Sequence, residues 1–364
     1  MGPRAGDLNE ALVASLESSG ALAEPRVAGA FRAVLRHHFL PGHPLQDVYE
    51  DTAIMTKFGE RGVAVSSSSQ PAIMAIMLQQ LGLHAGQRVL EVGAGTGYNA
   101  ALMAHLVGPQ GRVVTLDYDE DLCRTARSHL AAAGFEGVEV HQGDGAAGWP
   151  AGAPYDRLMV TVSAEDLAPA WLEQLTPQGR LVLPLSLAGP IQLSVAFART
   201  GSVLASDSLT FCGFMPMRGA LAPSGARPAG GDPGPLVEPG RPCGFRIPGS
   251  DARAGFETWL ALTQPGYVRL SRQPEEASAF GLQDERGAAL LEWEGSRLEL
   301  RTYGQAAEAA DRLVETHLRW RRDRPTIHQL QVIAVPAKAP QPKVPDTVRV
   351  IRRPHFSFFV RRPY

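Results

Sequence analysis

A chain of 364 residues is long enough for two cores, and an apolar fraction of 44% with 20% charged residues is ordinary for a globular protein. A formal net charge of −2 excludes a surface that is polycationic throughout, so nucleic acid is not expected as a partner. Its three cysteines and ten histidines stand at no metal-ligand or disulfide-framework spacing, which predicts neither a metal site nor a stapled fold. The start, MGPRAGDLNEALVASLE, has no signal-peptide core and no long apolar run follows it, so a cytoplasmic protein without membrane spans is expected.

In chain order, the segment from about Asp7 to Leu40 reads as helical, with PRVAGAFRAVLRHHF setting apolar residues at helical spacing behind Pro25. From Arg88 to Leu187, β-rich runs alternate with helical patterns: RVLEV, YNAALMAHL, RVVTLD, DLCRTARSHLAAAG, VEVHQ, YDRLMVTV, LAPAWLEQL and GRLVLPL. That alternation predicts an α/β fold, a parallel sheet covered by crossover helices, in a first domain over residues 1–220. Past Gly219, APSGARPAGGDPGPLVEPGRP is crowded with proline and glycine, which marks residues 221–243 as a linker. Beyond it, GFETWLALT and QAAEAADRLVETHLRWRRD read as helices, and YVRLSR, ALLEWE, RLELRTY, HQLQVIAV and FSFFVRR as strands. These make a smaller α+β domain over residues 244–364.

Strand RVLEV runs into GAGTGYN and a helix, so Gly93, Gly95 and Gly97 lie in a turn where backbone can approach a ligand closely. Dinucleotide sites use such turns too, but their fingerprint puts a third glycine three places after the second, where this chain has Tyr98. Glu91 at the strand end would repel a phosphate and suits the cationic end of a methionine moiety. RVVTLD ends in Asp117, some two dozen residues after Gly93, where a carboxylate can accept hydrogen bonds from two ribose hydroxyls. The same acid could instead cap the following helix. After the third strand, QGDG sets Asp144 between Gly143 and Gly145 at the carboxyl edge of the sheet. There an acceptor could meet an adenine amino group, or a plain Asp-Gly turn could stand. These features in order on successive strands predict S-adenosylmethionine as cofactor, with Tyr118 beside Asp117 in the same site.

The stretch SSSQPAIMAIMLQQLGLHAGQRVLEVGAGTGYNAALMA resembles the core of the protein L-isoaspartate O-methyltransferases. Its hydroxyl-rich SSSQP block matches the Thr-Ile-Ser-Gln-Pro-like element of that family. RHHFLP and the Tyr49 to Asp51 pair upstream, and APYDRLMV, LTPQGRLVLPL and FMPM downstream, extend the similarity over roughly Arg32 to Arg218. The resemblance implies a Rossmann-like class I methyltransferase sheet and a peptide or protein carboxylate as acceptor. It sets Ser67 at the family's threonine and Ser69 at its serine, as the catalytic pair beside that acceptor. The ester so formed would be displaced by the neighbouring backbone nitrogen to give a succinimide. A solvated loop of four serines is the plainer reading of the same block.

Two departures shape the expected function. Repair enzymes of the family usually stop soon after the segment resembled by FMPM, and their element carries a glycine-glutamine lead-in that GVAVSSSSQP lacks. In both respects the chain resembles two-domain actinobacterial variants that accompany lanthipeptide and graspetide pathways. That resemblance implies methylation of an aspartate in a cyclised ribosomal precursor peptide. Isoaspartate repair is the alternative, and a non-catalytic peptide-binding module is the alternative of another class. The tail VRVIRRPHFSFFVRRPY, with Arg349, Arg352, Arg353, Arg361 and Arg362, could attract an acidic peptide or be an ordinary edge strand.

Overall fold

The computed structural model describes residues 4–60, 62–188, 191–223, 240–270, 278–345 and 348–361. The chain divides into two compact units, Met1–Leu185 with Leu193–Pro223 and Ser186–Gln192 with Ser224–Tyr364.

The first unit opens with helices α1 (Ala5–Ser18) and α2 (Pro25–Ala33), a 3-10 turn over Arg36–Phe39 and the short α3 (Leu45–Val48). Pro25 and later Pro71 each stand at the start of a helix, where a missing N–H costs nothing and the fixed φ suits the first turn. A two-stranded antiparallel hairpin, β1 (Ile54–Phe58) and β2 (Ala64–Ser68), comes next. The serine block therefore continues a strand rather than forming a loop. Helix α4 (Pro71–Leu81) follows and ends on Gly82 in the left-handed region at φ +61°.

The sheet is then built from β3 (Arg88–Val92), β4 (Arg112–Asp117), β5 (Glu139–Gln142), β6 (Tyr155–Val160), β7 (Leu175–Ala188), β8 (Ile191–Thr200) and β9 (Val203–Phe211). Their order is β9-β8-β7-β6-β3-β4-β5. The pairs β6/β7, β3/β6, β3/β4 and β4/β5 are parallel and β8/β9 is antiparallel. Helices α5 (Tyr98–Val107), α6 (Glu120–Ala132) and α7 (Pro169–Gln174) make the crossovers. Val13, Leu16, Phe31, Leu78, Val89, Leu102 and Met103 belong to one buried cluster that joins the N-terminal helices to the sheet. The parallel core was expected, whereas β8 and β9 were not, although Ile191, Leu193, Val195 and Phe197 recur at every second position along β8.

The second unit holds β10 (Arg241–Pro248), α8 (Gly249–Asp251), α9 (Glu257–Thr263), β11 (Tyr267–Leu270), β12 (Ala279–Gln283), β13 (Gly287–Glu294), β14 (Arg297–Gly304) and α10 (Ala307–Asp323). Strand order is β10-β14-β13-β12-β11, all antiparallel, and Phe256, Leu260, Leu313 and Trp320 pack with Phe280, Leu291 and Leu300. Strands β15 (Gln331–Pro336), β16 (Arg349–Arg352) and β17 (Phe356–Arg361) pair antiparallel with β17 in the middle.

Particular expectations shift here. β10 begins inside the stretch read as a linker, whose residues 224–239 lie outside the described ones. Gly255, at φ +99°, breaks the helix expected over GFETWLALT, so its regular part starts at Glu257. The arginine-rich tail is less available than its charge suggests. Arg349 is buried, donates to the Gln264 carbonyl, and burial lowers it to about 10. Arg353 donates to the Ser186 carbonyl, while Arg352 and Arg361 are exposed, the latter donating to Gln331; Arg362 is outside the described residues.

Candidate active site

A cavity of about 460 Å³ opens in the first unit at the carboxyl ends of β3 and β4. Val92, Gly93, Gly95, Leu116, Asp117 and Tyr118 wall it from the sheet side, and Ser66, Ser67, Ser68 and Ser69 from the hairpin. In the turn after β3, Gly93, Gly95 and Gly97 take φ of +106°, +51° and +88°, which favour glycine. Their tasks differ. A Cβ on Gly93 would strike Thr161 Oγ1 at 2.3 Å, and one on Gly97 would press Leu130 and Ala126 of α6 at 3.1–3.3 Å. Gly97 is thus a packing glycine between α5 and α6, set behind the turn, and it does not wall the cavity. Gly95 faces the serine strand, with the Ser67 carbonyl 3.7 Å and Ser66 Oγ 3.9 Å from where its Cβ would be.

The three acids expected in the site separate in the structure. Asp117, at the end of β4, walls the cavity; its Oδ2 accepts the Gly95 N–H at 3.0 Å and its Oδ1 the Asp119 N–H at 3.1 Å, while burial pushes its carboxyl up. Glu91 instead lies fully buried beneath the turn. Its oxygens accept from Asn99 Nδ2 at 2.7 Å and Thr115 Oγ1 at 2.6 Å, and desolvation raises the carboxyl to about 7. The group that meets the cavity in its place is Asn99, whose buried Oδ1 has no hydrogen-bond partner among the described residues. Asp144 is also turned away. Its Oδ1 caps the Ala146 N–H and its Oδ2 accepts the Ala220 N–H at 2.7 Å, so it ties a loop rather than facing a ligand, although its neighbours Gly143 and Gly145 do wall the cavity. All three acids accept internal donors, and what sets Asp117 apart is that it also walls the cavity, which Glu91 and Asp144 do not.

On the hairpin, Ser66 and Ser68 are buried and engaged, through Thr56 Oγ1 at 3.1 Å and Arg36 Nη2 at 3.4 Å. The hydroxyls of Ser67 and Ser69 meet no hydrogen-bond partner among the described residues, and both residues are half-buried on the cavity wall. Arg36 fixes this arrangement, and nothing in its local sequence signals it. It is fully buried and donates to the carbonyls of Val48, Glu50, Thr52, Ser68 and Ser69 at 2.9–3.4 Å. Asp51 accepts from Gln70 Nε2 and from the Ala72 N–H, which anchors the start of α4 just after the serines. Across the cavity, Phe211 to Arg218 form a second wall, held to Ser163 by the Met217 N–H and the Met215 carbonyl. Asp119 joins both walls, pairing with Lys57 of β1 at 3.0 Å and with Arg218 at 2.9 Å, and its carboxyl is lowered chiefly by the bond from Arg218.

Seven strands with parallel neighbours at the site, a glycine turn after the first of them, an acid at the end of the next and a hydroxyl-bearing strand facing that turn define a Rossmann-like class I methyltransferase. The model of one family, protein-L-isoaspartate(D-aspartate) O-methyltransferase, matches residues 7–221. The chain therefore belongs to that family. The protein-L-isoaspartate O-methyltransferase of Thermotoga maritima is 40% identical over 162 residues, 44% of this chain and 50% of that protein, so the match spans half of that relative's length. That of Ignicoccus hospitalis is 35% identical over 206 residues, 57% of this chain and 95% of that protein. A solved protein-L-isoaspartate O-methyltransferase superposes with a TM-score of 0.56 at 27% identity, covering 89% of this chain and 96% of its own. That likeness reaches well past residue 221, so the extra length does not separate this chain from the isoaspartyl enzymes as the sequence reading supposed.

Proposed function

We propose that this chain is an S-adenosylmethionine-dependent methyltransferase that esterifies the free carboxylate of isoaspartyl residues in damaged peptides and proteins. The observation that carries the reading is the placing of Ser67 and Ser69, hydroxyls unengaged, across one cavity from the Gly95 turn and Asp117. The donor set fits the cofactor: Asp117 for the ribose hydroxyls, the buried Asn99 Oδ1 for an ammonium, Tyr118 and the apolar walls of Leu116 and Leu122 for the adenine ring, with Gly93, Gly95, Gly143 and Gly145 supplying close backbone. When bound, the cofactor supplies an electrophilic methyl group.

An acceptor carboxylate is already ionised at neutral pH, so the protein needs no strong base and must chiefly hold one oxygen in line with that methyl. Ser67 and Ser69 suit this because a neutral hydroxyl orients a carboxylate without the strong charge stabilisation that would oppose its neutralisation. Among the described residues no helix is long and apolar enough to cross a membrane, and the free Cys123, Cys212 and Cys243 accord with a cytoplasmic setting. A second reading is methylation of an aspartyl side chain in a cyclised ribosomal precursor peptide; the stretch GVAVSSSSQP, which lacks the glycine-glutamine lead-in of the repair enzymes, favours it.

Purified protein with S-adenosylmethionine should methylate a short isoaspartyl peptide far faster than its aspartyl counterpart, read as a 14-dalton gain. Ser69→Ala should lower that rate by about tenfold or more, roughly 1.4 kcal/mol of transition-state stabilisation, with cofactor affinity little changed. Faster turnover of an aspartyl residue in a cyclised peptide would select the second reading, and full activity of the Ser69 variant would remove that hydroxyl from the site.

A further inference from the structure

Arg36 is a buried cation whose hydrogen-bond partners among the described residues are all neutral oxygens, a costly arrangement unless it performs a task. Its carbonyl partners come from two places: Val48, Glu50 and Thr52 on the way into β1, and Ser68 and Ser69 at the end of β2. In a trans peptide the C=O of one residue and the N–H of the next point in opposite directions. Because the Ser68 and Ser69 carbonyls are turned to Arg36, the N–H groups of Ser69 and Gln70 are turned away from it. Neither N–H has a hydrogen-bond acceptor among the described residues, and both residues wall the cavity. Two successive amides and the Ser69 hydroxyl thus form a group of unengaged donors at one end of the serine strand.

We propose that Arg36 is a positioning residue for methyl transfer: by gripping the Ser68 and Ser69 carbonyls it aims the Ser69 and Gln70 amides, with the Ser69 hydroxyl, at the acceptor carboxylate. This deepens the isoaspartyl reading and rests on it. Arg36 touches neither substrate nor cofactor and acts only through the backbone it holds. A lysine at this position keeps the charge but cannot reach two peptide groups with a planar fork, so it should hold the segment loosely.

The test is a cycle of Arg36→Lys, Ser69→Ala and the double variant, each assayed for cofactor affinity by calorimetry and for kcat and KM with an isoaspartyl peptide. Arg36→Lys should bind S-adenosylmethionine within about twofold of the parent and lose about tenfold or more in kcat/KM. The double variant should lose clearly less than the product of the two single losses, because both changes act on the same donors. Losses that multiply in full, or an Arg36→Lys protein with parental kcat/KM, overturn the proposal. So does an Arg36→Lys protein that no longer binds cofactor, since Arg36 is then a folding residue only. A Ser69→Ala protein with unchanged activity would instead sink the reading of the site, whatever Arg36 does.

Discussion

Glu91→Gln tests whether the buried acid beneath the glycine turn is a structural brace. The substitution is nearly isosteric and can keep both hydrogen bonds, the amide oxygen accepting from Asn99 and the amide nitrogen donating to Thr115 Oγ1. Burial raises the Glu91 carboxyl from 4.5 to about 7. A raised folded value means that the native chain keeps a proton which the unfolded chain releases, so its contribution is full below about pH 4.5 and is lost as pH climbs through about 7. At about 1.4 kcal/mol per unit, the shift amounts to about 3 kcal/mol. The glutamine has nothing to ionise, so the stability of Glu91→Gln relative to its parent should rise by about 3 kcal/mol between pH 4.5 and 8. Urea unfolding of both proteins at several pH values across that window measures the gap. A gap that stays flat would show that Glu91 ionises as an ordinary carboxyl, and would refute the argument from desolvation.

Asp117→Asn should weaken S-adenosylmethionine binding by about ten- to a hundredfold, the loss of a charge-assisted hydrogen bond, with calorimetry as the readout; a change within about twofold would detach Asp117 from the cofactor. Gly97→Ala should destabilise the first unit by about 1–3 kcal/mol in denaturant, because a side chain there meets α6 at positive φ, yet leave cofactor affinity in the folded protein nearly intact. A larger loss of affinity than of stability would return Gly97 to the binding surface.

Local signals carried much of this protein. The glycine turn, the strands beside it and the acid at the end of β4 are written within a few residues of one another, and parallel β-α alternation follows from composition and period alone. What local pattern could not divide was use. An aspartate between two glycines looks the same whether it accepts from a ligand or from the Ala146 and Ala220 amides, and only the fold brings residue 220 to it. Glu91 likewise stands at the right strand end, but its register opposite Thr115 commits it to an internal partner. Arg36 was legible only as part of a resemblance, since its partners lie 12 to 33 residues away. The serine block did not reveal its conformation, because four consecutive hydroxyls show none of the polar-apolar alternation by which a strand is recognised.

The hairpin that bears the serines belongs to a sheet of its own, β1 with β2, separate from the strands that end at Asp117 and the glycine turn. On the proposed reading of the site, recognition of what is to be modified and possession of the reagent rest on different backbones. On that reading, mutation can redraw the first, carried on Ile54–Phe58 and Ala64–Ser68, while the second stays untouched, which gives one methyl-donating chassis a route to new acceptors without passing through a form that has lost its cofactor.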